Sequence, residues 1–139
     1  MTNAEPPDES VVEVRATASA ALIPTIRAVA GDLAARADFD LDAIDDLRMA
    51  VDEACAAVVG LAAPQAQLRC VFTIRPDRIQ VIVETDVLAG QPTLATDSFG
   101  WRVLETLADG VSAHHVAGTD GQPDRIAVRL DKDAVPGVR

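Results

Sequence analysis

The sequence predicts an α+β fold: a mainly antiparallel, mixed sheet with helices on one face. Two observations carry this. Two segments with apolar residues at three- and four-residue steps come early, and segments of alternating apolar residues come late, in two hairpin-like pairs. Helices and strands are therefore grouped along the chain rather than interleaved, which argues against a doubly wound parallel sheet.

Residues 1–9 are polar and read as a disordered tail. Val11 to Ala16 is short and β-branched, a strand. Ser19 is placed to cap a helix over 20–37, whose regular part starts near Leu22 because Pro24 fits only in a first turn. Ile26, Val29, Ala30 and Leu33 form its apolar stripe. Asp40 or Asp42 caps the second helix, and Asp38, Asp40, Asp42, Asp45 and Asp46 crowd its entry, where carboxylates suit the helix dipole. Its stripe is Ile44, Leu47, Val51, Ala54 or Cys55, Val58 and Leu61, and Gly60 and Pro64 close it. Gln67 to Arg75 and Arg78 to Glu84 alternate around a Pro76-Asp77 turn, a hairpin. Residues 85–98 are a loop. Residues 99–108 are a helix with Phe99, Val103 and Leu107 on one face, and 111–117 and 125–130 are two last strands. The chain from Asp131 reads as loose, so the domain spans 10–131 and a tail covers 132–139.

The 139 residues suffice for one core without disulfides or metals. Acidic residues outnumber basic ones 22 to 12, giving a formal charge of −10. That charge repels nucleic acid and anionic membrane surfaces and favours a basic protein partner. Alanine occurs 25 times and lysine once, at Lys132, so the 49% apolar fraction overstates the core. The longest apolar run, Ala54 to Ala63, is too short to cross a bilayer. Met1 to Ser10 lacks the apolar stretch of a signal peptide, and the expectation is a cytoplasmic protein. Cys55 and Cys70 are isolated from each other without ligand-like spacing and read as buried, reduced thiols. Adjacent His114 and His115 point to opposite faces of a strand, so no metal site is expected.

Three segments carry candidate chemistry. In LRMAVDEACAAVVG, Glu53 stands off the core stripe among Met49, Ala50, Ala57 and Gly60. It either lines a cavity or is a surface glutamate on an alanine-rich helix. Asp86 opens DVLAG directly after a strand. An aspartate there can accept a hydrogen bond from an exocyclic amine, and Gly90 allows close backbone approach, although a plain turn uses the same residues. SFGWRVLETLADG opens a helix with Gly100 in its first turn, where backbone amides can hold a phosphate. The same junction could instead be an anchor made by burying Phe99 and Trp101.

In this order the three segments resemble the RsbW-type anti-sigma factor serine kinases, part of the GHKL (gyrase, Hsp90, histidine kinase, MutL) ATPase superfamily. The likeness covers about residues 10–131, and the S-F-x-W lid end is like that of the UsfX-like mycobacterial anti-sigma-F factors. It implies the GHKL (Bergerat) two-layer α/β sandwich and a homodimer, with ATP and Mg²⁺ as cofactors. The implied partners are a sigma factor and a STAS-type anti-anti-sigma protein. LRMAVDEACAAVV matches the family's N-box helix, L-x-x-A-V-x-E-A-x-x-N, and places Glu53 on its acidic residue, a candidate general base. DVLAG matches D-x-G-x-G, with Asp86 on the adenine-reading aspartate. SFGWRVLETLADGV matches the end of the ATP lid, with Gly100 on its last glycine. The implied nucleotide-binding set is thus Glu53, Asp86, Gly90 and Gly100.

Four residues depart from the pattern. Ala57 replaces the Mg²⁺-carrying asparagine, and a methyl group cannot coordinate a hard cation. Leu88 and Ser98 replace glycines, and Thr96 stands where kinase members often place an arginine. Phosphoryl transfer rests on positioned charge and metal. The expectation is an anti-sigma factor that sequesters an alternative sigma factor, is released by its anti-anti-sigma partner, and carries a degenerate nucleotide site. The alternative is an active ATP-dependent kinase of that antagonist. A detached histidine-kinase ATPase domain ranks below both, because the short chain shows no phosphoacceptor helix pair upstream.

Overall fold

A computed structural model describes residues 8–90 and 93–134. Most of both expected tails and Gln91-Pro92 of the loop lie outside the described residues. The elements run β1 (Ser10–Thr17), α1 (Ile23–Arg36), α2 (Leu41–Val59), β2 (Gln67–Arg75), β3 (Arg78–Val87), α3 (Phe99–Leu107), β4 (Gly110–Val116) and β5 (Asp124–Asp133). The five strands form one sheet in the order β1-β2-β3-β5-β4. All four pairings are antiparallel, where the sequence pattern suggested a mixed sheet.

Alternation fixes which sheet face is covered. Leu68, Cys70 and Phe72 of β2, Ile79, Val81 and Val83 of β3, and Ile126, Val128 and Leu130 of β5 are buried under the helices. Helix α2 lies at the centre of that layer, packing against α1, α3, β3 and β5. Its buried stripe holds both Ala54 and Cys55, together with Leu47, Val51 and Val58. Gly31 of α1 leaves room for the Arg48 side chain of α2, whose Cδ would stand 3.0 Å from a Cβ at that position. Each buried Val, Leu or Ile side chain is worth roughly 1.5–3 kcal/mol of transfer free energy.

The caps follow the sequence. The Ser19 hydroxyl accepts from Ala21 N–H at the head of a short 3₁₀ turn, and α1 begins with Pro24 in its first turn. Of the two aspartates offered for α2, Asp40 is the cap, accepting from Ala43 N–H at 2.8 Å.

Four local expectations change. Strand β3 continues three residues beyond Glu84, because Thr85 occupies a core-facing slot where an apolar residue was sought. Its hydroxyl donates to the Gln67 carbonyl at 2.8 Å, which satisfies it in burial. Strand β5 likewise runs to Asp133 instead of loosening at Asp131. There the Lys132 ammonium donates to Asp46 Oδ2 of α2 at 3.2 Å and to the Leu107 carbonyl at the end of α3 at 2.9 Å. Helix α3 buries Trp101 and Leu104 rather than a Phe99 stripe, and Phe99 is 83% exposed. Lastly, the cysteines isolated in sequence meet in space. Cys55 and Cys70 are free and buried, and a hydrogen bond with Cys70, then burial, hold the Cys55 thiol far above its usual titration range.

The uncovered face of the sheet carries a ladder of opposite charges across four strands. Arg69 of β2 pairs with Glu13 of β1 and Glu84 of β3, and Arg125 of β5 reaches Glu84.

Candidate functional site

Helix α2 presents Glu53, Ala57 and Gly60 on successive turns, off its core stripe. The start of α3 faces them. Ser98 caps that helix, its hydroxyl accepting from Trp101 N–H at 3.1 Å, and Gly100 follows in the first turn. A Cβ added at Gly100 would stand 3.0 Å from Glu53 Oε2. The glycine therefore lets a carboxylate rest against the N-terminal end of α3, where the helix dipole favours negative charge.

Between α2, α3 and the segment 93–95 lies a cavity of about 380 Å³. Ala57, Leu61, Leu94, Trp101 and Leu104 form its apolar wall, and Glu53 and Ser98 supply polar groups. Among the described lining residues, Glu53 is the only ionisable one. Among the described residues it makes no hydrogen bond or ion pair. The cavity-lining alternative for Glu53 thus holds over the surface one.

The structure brings Glu53, Ala57, Ser98 and Gly100 together and leaves the other expected residues apart. Asp86 is exposed inside β3, two residues after Glu84 and hence on the face turned away from the helices. It borders a different, polar cavity of about 380 Å³, with Arg15, Arg69, Glu84 and Arg125. Gly90 is exposed at φ +82°, with open space where its Cβ would be. Leu88 is half exposed. Thr96 borders a smaller cavity beside His114 and His115. The histidines are exposed on β4, with His114 Nε2 2.8 Å from Ser112 Oγ and His115 Nε2 3.4 Å from Asp124. Leu94 and Trp101 are cavity residues the sequence reading did not assign. Trp101 follows Gly100 directly and its spacing to Leu104 was the available signal, whereas Leu94 lies in a loop with no period to mark it.

The donor set does not fit Mg²⁺ with a triphosphate. Ala57 offers a methyl group where an oxygen ligand is required. No described lining residue carries a positive charge, and the end of α3 that could receive a phosphate already faces the Glu53 carboxylate.

Comparison with known proteins gives the fold its relatives. Two anti-sigma-F factors named RsbW, from Mycobacterium tuberculosis strains CDC 1551 / Oshkosh and ATCC 25618 / H37Rv, are each 38% identical to it over 115 residues, 81% of this chain. The match covers 65% of the length of those relatives. The family description matching residues 16–123 is that of the histidine kinase-like ATPase domain. That span includes both walls of the cavity, and the chain belongs to the histidine kinase-like ATPase domain family.

Proposed function

We propose that this domain is an anti-sigma factor. It sequesters an alternative sigma factor by covering surfaces that polymerase needs, and a STAS-type anti-anti-sigma protein releases it by competing for the same domain. The observation that carries the reading is the 38% identity, over 81% of the chain, to proteins named anti-sigma-F factor. The net charge of −10 supports a basic partner surface. A cytoplasmic homodimer is the working form in this reading, its mass to be checked by light scattering. The nucleotide site is degenerate, so sequestration needs no phosphate transfer.

Pull-down with the cell's sigma factors tests it: one of them should be recovered in stoichiometric amount. Recovery of none, with a STAS protein captured alone, would sink the sequestration model. Nucleotide titration by calorimetry, with and without Mg²⁺, separates the rival kinase. Mg²⁺-dependent ATP binding, and label transferred to the antagonist in a way that Glu53→Ala abolishes, would replace this reading with the kinase one.

A further inference from the structure

The cavity between α2 and α3 has walls suited to a ring and one charge, and that charge is negative. A nucleotide triphosphate would bring its own negative charges against Glu53, and no described lining residue carries a positive charge to offset them. A divalent metal would find a single carboxylate, and among the described residues no three His, Cys, Asp or Glu side chains gather to hold one. Apart from the end of α3, no described residue partners this carboxylate, so a cation that is also apolar over most of its surface complements the cavity. Trp101 adds apolar aromatic surface to the wall, against which a ligand ring can pack. The volume of about 380 Å³ falls in the range of small-molecule sites.

We propose that this cavity binds an organic ammonium ion bearing an aromatic or aliphatic ring, with its nitrogen on Glu53 and its ring against Leu61, Leu94 and Trp101. Glu53 then acts as a ligand anchor rather than as a base toward a hydroxyl. The inference concerns the cavity alone and holds whichever protein the domain sequesters.

Trp101 is the chain's one tryptophan, so its emission reports directly on the site. The intact protein is titrated with 2-phenylethylamine, its neutral analogue 2-phenylethanol, the anion 3-phenylpropionate, and ATP. The amine should shift the emission saturably and bind about tenfold tighter than the alcohol, the ratio that one charge-assisted contact supplies. The two anions should produce no saturable change. Glu53→Gln keeps the side-chain shape and should bring the amine down to the alcohol's affinity while leaving the alcohol unchanged. Equal binding of amine and alcohol, tighter binding of either anion, no response to any compound, or an amine preference that survives in Glu53→Gln would each overturn the proposal. The four-compound comparison on the wild-type protein decides the matter even where the variant folds poorly. None of these outcomes bears on sigma-factor capture, which the pull-down reads separately.

Discussion

Trp101 and Phe99 stand two residues apart at the start of α3 and meet opposite surroundings, the first 6% exposed and the second 83%. Truncating the buried ring removes a wall of the cavity and part of the core. Trp101→Ala should cost about 3–5 kcal/mol in urea unfolding, whereas Phe99→Ala should stay within about 0.5 kcal/mol. Equal costs would mean that α3 presents another face to the sheet. Cys55 gives a residue-level dependence on pH. Unfolded thiols ionise near pH ~8.5, while folded Cys55 keeps its proton well beyond that, through its hydrogen bond with Cys70 and its burial. Above that pH the folded chain holds more protons than the unfolded one. Stability is therefore full below about pH 8.5 and falls as pH rises, by up to about 1.4 kcal/mol per unit for one thiol. The chain has no tyrosine to add a phenol to the same range. Urea midpoints across the alkaline range should show the slope, and Cys55→Ala should flatten it.

Among the elements, the turn between β4 and β5 and the meeting of α2, α3 and β5 depend on single residues. A Cβ on Gly118 would stand 1.8 Å from the Gln122 carbonyl oxygen, a contact with backbone that cannot swing aside. Gly118→Ala should cost more than about 2 kcal/mol and speed amide exchange along β4 and β5. Lys132→Ala should cost about 1–3 kcal/mol, because it strips a partner from both the Leu107 carbonyl and Asp46. A urea midpoint unchanged from wild type would show that the contact is loose in solution. Elements were legible wherever apolar residues faced one way. The hairpin of β2 and β3 needed only its alternation, and counting outward from Pro76-Asp77 pairs Arg69 with Glu84, as the register has it. Polar residues in core-facing or anchoring positions hid the rest. Thr85 ended the alternation of β3 too early, which turned Asp86 into a loop residue beside the cavity instead of a strand residue facing away from it. Lys132 ended β5 too early for the same reason. In α3, two apolar stripes were available within nine residues, and only docking against α2 selects Trp101 and Leu104. The Glu53, Ala57 and Gly100 part of the site was legible through the N-box and lid-end likenesses, since helical spacing alone left Glu53 open between a cavity and the surface. Leu94 depends on the path of a loop.

At the scale of the molecule, charge is distributed away from the cavity. From the cap Asp40 to Asp46, the aspartates that crowd the start of α2 are roughly 10–20 Å along the helix axis from Glu53, at about 1.5 Å of rise per residue. Three of them have local work: Asp40 caps α2, Asp45 pairs with Arg48, and Asp46 holds Lys132. The remaining excess acts at long range. Binding to a basic partner surface should therefore lose association rate as salt is raised, with the dissociation rate nearly constant, and stopped-flow mixing at several ionic strengths checks this. A dissociation rate that carries the salt effect would place the charges within the contact itself. Lys132 also has a chemical consequence beyond holding three elements together. Apart from the chain's α-amino group, the fold presents one primary amine, and its side chain is only 14% exposed. Acylating reagents would find almost nothing to modify on the intact surface. Their slow reaction at Lys132 would act as a clock for how often the junction of α2, α3 and β5 comes apart.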